Sequence, residues 1–315
     1  MKRAFIVLSL LVLPLIVRSE QWAIVSVSVT DMKKSPDYQS ETVSQAILGT
    51  PVQVTGSEGY WYAIVTPEGY RGWTTRMNIF LTDDSSFSQW KKSRRVIMTD
   101  HYGIIRSGPD SSSEVISDCV MGSVLESDGN EGEYCRIIMP DGRKGFLPSS
   151  AVCGFRERML SGREAGGEDI VSLAQQFKGF PYLWGGLSPK GFDCSGLVKL
   201  CYFMNGMVLP RDAKEQILAG CSLDISDITG NLLPGDLVFF GNPATSSRPQ
   251  KVTHVGIYIG GGDMIHSSLT VRTNSLLAGE KDYYSGKKLL GAVRIIGCAD
   301  PVKGIVPVLE HPWYF

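Results

Sequence analysis

The sequence predicts two small β-barrels in tandem, followed by one larger α+β domain. Three observations carry that expectation. Residues 32–73 lie over 105–146 without a gap, at an offset of 73, with 13 of 42 positions identical. Each copy consists of short β-rich runs broken by Gly, Pro, Asp and Asn. Beyond residue 169 amphipathic helical runs come first and strand runs follow, an order that fits α+β rather than an alternating βα chain.

At the N-terminus, MKRAFIVLSLLVLPLIVRSEQ places Lys2 and Arg3 before an apolar run from Ala4 to Val17, with small residues after it. That is the layout of a signal peptide over residues 1–19, cut after Ser19. The alternative is a membrane anchor, but an apolar run of about 14 residues is short for a hydrocarbon core of ~30 Å. Cleavage removes Lys2, Arg3 and Arg18 and no acid, so the formal net charge falls from −1 to −4. No other apolar run is long enough to cross a bilayer, so no membrane span is expected after cleavage. So weakly charged a chain gives no reason to expect a nucleic-acid partner. The expectation is an exported protein, periplasmic or secreted, in which disulfides can persist. The chain has seven cysteines, and an odd count leaves at least one thiol unpaired in a monomer.

The first barrel is expected over residues 20–82, with VQVTG, YWYAIVT and YRGWTT as strands, and the second over 95–152. Cys119 and Cys135 stand in the second copy, where the first has Ala46 and Tyr62. They are either a disulfide between neighbouring strands or two buried thiols, and sequence alone does not supply the Cα spacing that decides. The GYRGW close resembles bacterial SH3-like domains, over about 24–80 and 95–152. SGREAGGED (161–169) reads as a linker ending in a helix cap. Ile170, Leu173, Ala174 and Phe177 then recur at helical spacing. The α+β domain is expected over 165–300, with helices in SGLVKLCYFMN and DAKEQILAG and strands in DLVFFG, THVGIYIG, DMIHSS and LGAVRIIG. The closing HPWYF is expected to pack its aromatics on a neighbour.

The chemistry centres on GFDCSGLVKL (191–200). The polar run opens onto a helix, so Cys194 sits at a helix N-terminus, where free N–H groups and the dipole favour a thiolate. Cys201, two turns on, reads as a core thiol. The chain has four histidines; His101 lies at the head of the second barrel and His311 in the tail. His254 and His266 flank the turn GGGD (260–263) of a plausible hairpin, which brings two imidazoles together. One can act as base to Cys194 and the other can hold the first in its tautomer. Two rival readings are a zinc site made of the two histidines and a cysteine, and two structural histidines.

Taken together, YLWGG, GFDCSGLV, LPRDAKEQ, PGDLVFFG and THVGIYIGGGDMIHSS resemble the NlpC-type, papain-like cysteine peptidases of the bacterial cell wall, over about 165–297. The resemblance implies a papain-like α+β fold, no cofactor and no metal. It makes Cys194 the nucleophile, His254 the base and His266 the orienting third residue. Tyr182 becomes the hydroxyl that holds the oxyanion beside the Cys194 N–H, with an ordinary core aromatic as the alternative. Such a donor is often worth ~3 kcal/mol.

The tandem barrels resemble those of members that cut the γ-D-glutamyl bond to a diamino acid in murein-derived peptides with a free N-terminal L-Ala, of the dipeptidyl-peptidase VI type. By that resemblance Asp212 reads the substrate ammonium, a charge-assisted contact; its alternative is a helix N-cap. Trp184 and Ser195 match further pocket residues, and Glu41 and Tyr70 reach over the site from the first barrel, or else are solvated surface residues. Glu41 repeats as Glu114, but Tyr70 lies over Arg143, so the pair exists in the first copy alone. Ala213 stands where the family often has Ser, which removes one hydroxyl contact to substrate. Rival functions on the same residues are hydrolysis of intact peptidoglycan with the barrels as wall-binding modules, acyl transfer, and wall binding without catalysis.

Overall fold

The structure is a computed structural model in which residues 21–315 are described; the signal-peptide expectation lies outside the described residues. The first barrel comprises β1 (Gln21–Val25), β2 (Val29–Lys33), β3 (Thr42–Ile47), β4 (Pro51–Glu58), β5 (Trp61–Val65), β6 (Arg71–Thr75) and β7 (Ile79–Thr82), in the order β3-β2-β6-β5-β4-β1-β7. The second comprises β8 (Arg95–Met98), β9 (Tyr102–Arg106), β10 (Val115–Val120), β11 (Val124–Glu131), β12 (Tyr134–Ile138), β13 (Lys144–Pro148) and β14 (Val152–Gly154). Its order, β10-β9-β13-β12-β11-β8-β14, is the same strand for strand. Even the irregularities repeat at the 73-residue offset: the register slips between Val54 and Gly56 in one copy and between Ser127 and Gly129 in the other.

Each barrel encloses its own apolar interior, around Met32, Val52 and Ile64 in the first and Ile105, Leu125 and Ile137 in the second. Cys119 and Cys135 are both in that second interior and both are free thiols. Their strands β10 and β12 are separated by β9 and β13, so they are not neighbours and no bridge forms.

Two helices that the repeat pattern does not foretell follow the barrels. α1 (Asp84–Lys92) is capped by Asp83, whose carboxylate accepts from the Ser86 N–H at 2.7 Å. Its Phe87 stacks on Trp22, which also meets Trp313 of the tail edge-on. α2 (Phe155–Arg163) takes up the first residues of the stretch expected to be a linker; its Phe155 and Met159 are buried, which holds the segment helical. The cap expected there is present: Asp169, in the first turn of α3 (Gly167–Gln175), accepts from the Gly166 N–H at 2.8 Å.

The third domain continues with a small hairpin, β15 (Leu187–Ser188) and β16 (Gly191–Phe192), then α4 (Cys194–Met204), β17 (Met207–Val208) and α5 (Ala213–Ala219). After β18 (Cys221–Leu223) and α6 (Ile228–Asn231) come β19 (Leu237–Asn242), β20 (Lys251–Gly260), β21 (Asp263–Ser268), β22 (Thr270–Ser275) and β23 (Lys288–Arg294), and β24 (Val306–Pro307) pairs back with β17. The six-stranded sheet runs β18-β23-β19-β20-β21-β22, all antiparallel. Period-two alternation feeds its two faces. Leu237, Phe239, Val255, Ile257 and Ile265 join the helices α3 and α4, while Val238, Phe240, Tyr258 and Met264 pack into a second cluster behind. Both faces are covered, so the central strands read as continuous apolar runs. α4 is enclosed on nearly every side, which is why its sequence lacks a polar face after its first turn. A disulfide, Cys221–Cys298, ties the start of β18 to the segment after β23.

Candidate active site

The opening of α4 is built by Asp193. Its carboxylate caps the helix by accepting from the Gly196 N–H at 2.7 Å, accepts from the Gly185 N–H at 3.1 Å, and pairs with Arg211 at 2.6 Å. Arg211 is 1% exposed, and its Nε donates to Ser44 Oγ of the first barrel at 2.8 Å. A buried guanidinium needs this full set of acceptors. Gly196 has no alternative: a Cβ there would meet Gly186 O at 2.0 Å. The run DCSG is thus cap, thiol, second polar residue and close approach, in that order.

Cys194 is half-buried at the floor of a cleft of about 530 Å³. Tyr182, Trp184, Ser195, Asp212 and His254 line the same cleft, as do Glu41 and Tyr70 from the first barrel. His266 stands just behind. His254 Nε2 and His266 Nδ1 are 2.6 Å apart, and His266 Nε2 is 2.8 Å from Asn274 Oδ1. Asn274 Nδ2 donates to the Asp282 carbonyl at 2.8 Å, which fixes the amide with its oxygen toward the imidazole. His266 therefore donates through Nε2 and accepts at Nδ1; His254 donates through Nε2, and its Nδ1 keeps a lone pair. The paired nitrogens occupy one another, so they offer no shared position for a zinc ion. Tyr284 packs on both rings, at 5.5 and 5.0 Å between centroids.

Burial and Asp193 oppose the thiolate that the helix N-terminus favours. Burial, then the Asp193 charge, pushes the Cys194 thiol up to about 11, against the Val255 and Ser195 N–H groups that lower it. Burial, then His266, holds His254 down to about 3. Both shifts favour the uncharged form of the group. Cys194 and His254 line one cleft, and the His254 Nδ1 lone pair is not taken up by the histidine pair.

At the opposite end of the cleft Glu41 and Tyr70 of the first barrel stand over Asp212, with Lys34 and Lys214 beside the two acids. Trp184 Nε1 donates to Glu41 Oε1 at 3.1 Å. The Tyr70 hydroxyl is raised to about 12 by burial and then by neighbouring Asp212. Asp212 stands at the N-cap position of α5, yet its side chain makes no capping bond; it faces the cleft and Lys214, 3.3 Å away. Burial, then Cys194, raises Tyr182 to about 12. Ser195 is on the wall, but Arg211 Nη1 donates to its hydroxyl at 2.9 Å and Asp193 Oδ1 lies at 3.3 Å. That hydroxyl supports the helix opening rather than pointing freely at a substrate. Sequence reasoning missed Asp193, Arg211, Asn274 and Tyr284. An Asn inside a strand-like run was the one available signal, since Asn is depleted in strands.

The comparisons with known proteins agree with this geometry. Residues 179–294 match the NlpC/P60 family and residues 28–77 match the bacterial SH3 domain. The chain is 31% identical over 264 residues to the gamma-D-glutamyl-L-lysine dipeptidyl-peptidase of Bacillus subtilis, covering 80% of each chain. It is 30% identical over 269 residues to dipeptidyl-peptidase 6 of Lysinibacillus sphaericus, covering 81% of this chain and 91% of that one. A crystal structure of an NlpC/P60 family protein from Bacillus cereus shares the fold, with TM-score 0.72 at 24% identity over 87% of this chain and 99% of the other. A half-buried cysteine on a helix start, a histidine pair behind it and two SH3-like barrels in front thus converge with those likenesses: this chain belongs to the NlpC/P60 family of cysteine peptidases.

Proposed function

We propose that this peptidase hydrolyses the γ-D-glutamyl bond to a diamino acid in murein-derived peptides that carry a free N-terminal L-Ala. One observation carries the reading: the first barrel closes one end of the cleft with Glu41 and Tyr70, beside Asp212, and leaves a short acidic pocket. Such a pocket accepts an ammonium at its end and leaves no path for a longer chain. An acylated N-terminus would bring no charge to Asp212 and Glu41, whose other cationic partners are the exposed Lys214 and Lys34. The Bacillus subtilis relative's name gives a bond of this kind, gamma-D-glutamyl-L-lysine, for that protein. A barrel hanging free as a wall-binding module fits poorly with Ser44, Gln45 and Glu41, which all bond directly to the third domain.

In the proposed cycle His254 Nδ1 takes the Cys194 proton as sulfur attacks the γ-carbonyl carbon of D-Glu. The Cys194 N–H and the Tyr182 hydroxyl hold the oxyanion. Collapse expels the diamino acid nitrogen, which receives its proton from His254, and leaves a thioester. Water, deprotonated by His254, then releases L-Ala-γ-D-Glu and the free thiol. His266 keeps His254 in the required tautomer. The protein is exported, its residues 1–19 acting as the signal peptide, to a periplasmic or extracellular space; the Cys221–Cys298 bridge supports that compartment.

The test is hydrolysis of L-Ala-γ-D-Glu-diaminopimelate beside its N-acetylated form, with Cys194→Ala as the blank. The free amine is expected to be cut and the acetylated peptide to be slower by about tenfold or more, the scale of a lost charge-assisted contact with partly exposed carboxylates. Equal rates would sink the amine pocket and favour hydrolysis of the intact wall.

A further inference from the structure

The end of the cleft beside His254 carries a cation that the proposed cycle does not use. Lys287 is exposed, immediately precedes β23 and lines the cleft with Thr253 and Tyr284. Its Nζ donates to the Thr253 carbonyl at 3.3 Å, one residue before His254. Among the described residues it makes no ion pair. Its charge reaches the imidazole, since Lys287 is among the groups that hold His254 low, after burial and His266. The barrel end thus holds Glu41 and Asp212, each already beside a lysine, Lys34 or Lys214, whereas the histidine end holds one ammonium with no carboxylate beside it.

The chemistry says which part of a substrate meets that ammonium. His254 hands a proton to the departing nitrogen, so the departing residue lies on the His254 side. That residue is an amino acid, and its carboxylate sits one carbon from the departing nitrogen. We propose that Lys287 is a specificity determinant that reads a free carboxylate on the departing diamino acid. The enzyme then favours fragments ending at that residue over peptides amidated or continued there. The assignment rests on the hydrolase reading above. Two carboxylates share this chemistry, the α-carboxylate of the departing residue and the distal one of diaminopimelate.

Both are separated by measuring kcat/KM on four peptides: L-Ala-γ-D-Glu-L-Lys, its C-terminal amide, the diaminopimelate analogue, and that analogue amidated at its α-carboxylate. The wild type should prefer the free lysine peptide to its amide by about fivefold, the scale of an exposed ion pair. If the distal carboxylate is read instead, the preference appears between the amidated diaminopimelate and amidated lysine peptides. In either case Lys287→Gln should erase the preference, Lys287→Glu should reverse it and Lys287→Arg should keep it. Equal wild-type rates on all four would overturn the assignment, and so would a uniform slowing by Lys287→Gln, which is what a merely structural lysine or contact with the glutamyl carboxylate predicts. Failure of the wild type to cut any of them would overturn the hydrolase reading and this assignment with it.

Discussion

Asn274 shows how much one neutral side chain can decide. Its amide is locked by the Asp282 carbonyl, and its oxygen takes the His266 Nε2 proton. Without that acceptor, His266 can carry its proton on Nδ1 and donate to His254 Nε2. His254 then bears its own proton on Nδ1 and cannot take one from Cys194. Asn274→Leu should therefore lower kcat by about tenfold or more, part of the 10²–10⁴ that a positioned base contributes, with KM little changed. The acid limb of the wild-type pH profile should also fall well below the ordinary imidazole value. The proposed base must be uncharged, and burial holds His254 down to about 3, so protonation should silence it only in strong acid. A fall confined to KM, or an acid limb at an ordinary imidazole pKa, would remove the tautomer argument. Cys194, His254 and His266 were legible in the sequence because each stands in a short motif of rare residue types. Arg211 was not, since a single arginine says nothing until the fold places Asp193, Ser195 and Ser44 around it.

Among the elements, the strands were easier to read than their staples. Two copies with one strand order follow from the repeat, because the same alternation and the same turn residues recur 73 positions apart. α1 and α2 belong to neither copy and depend on aromatic contacts with distant residues, so local pattern did not announce them. The disulfide was equally opaque. The bridge forms across 77 residues of sequence, where β18 and the end of β23 are neighbours, while the cysteines that share a repeat have two strands between them. Denatured, unreduced protein should accordingly titrate five thiols and reduced protein seven. The double variant Cys221→Ser/Cys298→Ser should lose about 2–4 kcal/mol of stability, the usual range for a disulfide. Seven thiols without reduction, or an unchanged unfolding midpoint, would show that β18 is held by its pairing alone.

Across the whole molecule, the first barrel is joined to the third domain and the tail by buried polar contacts, and the buried histidines make the assembly sensitive to acid. The Arg211–Asp193 pair reaches Ser44 of the first barrel, and Lys199 of α4 meets Glu68 of that barrel at 3.3 Å. His311 pins the tail: its Nε2 donates to the Pro67 carbonyl at 3.0 Å and its Nδ1 accepts from the Trp313 N–H at 3.2 Å. That pattern requires a neutral ring, and burial lowers the His311 pKa accordingly. Burial likewise takes His254 to about 3 and His266 to about 4. In the unfolded chain all three take up protons near pH 6.5. The unfolded state thus binds more protons below that value, and stability falls as pH drops. Each histidine contributes a slope of about 1.4 kcal/mol per pH unit between its two pKa values. This stability is fully present above pH 6.5 and is lost on the way down to the folded values. Urea midpoints should decline steadily from pH 7 to pH 5, where few carboxylates yet titrate. His311→Gln lies away from the cleft and keeps a donor and an acceptor. It should flatten that decline by one histidine's share while leaving kcat at pH 7 near the wild-type value. Midpoints that hold constant from pH 7 to pH 5 would mean that the buried histidines take up protons without unfolding, and that the joint at Pro67 gives way locally instead.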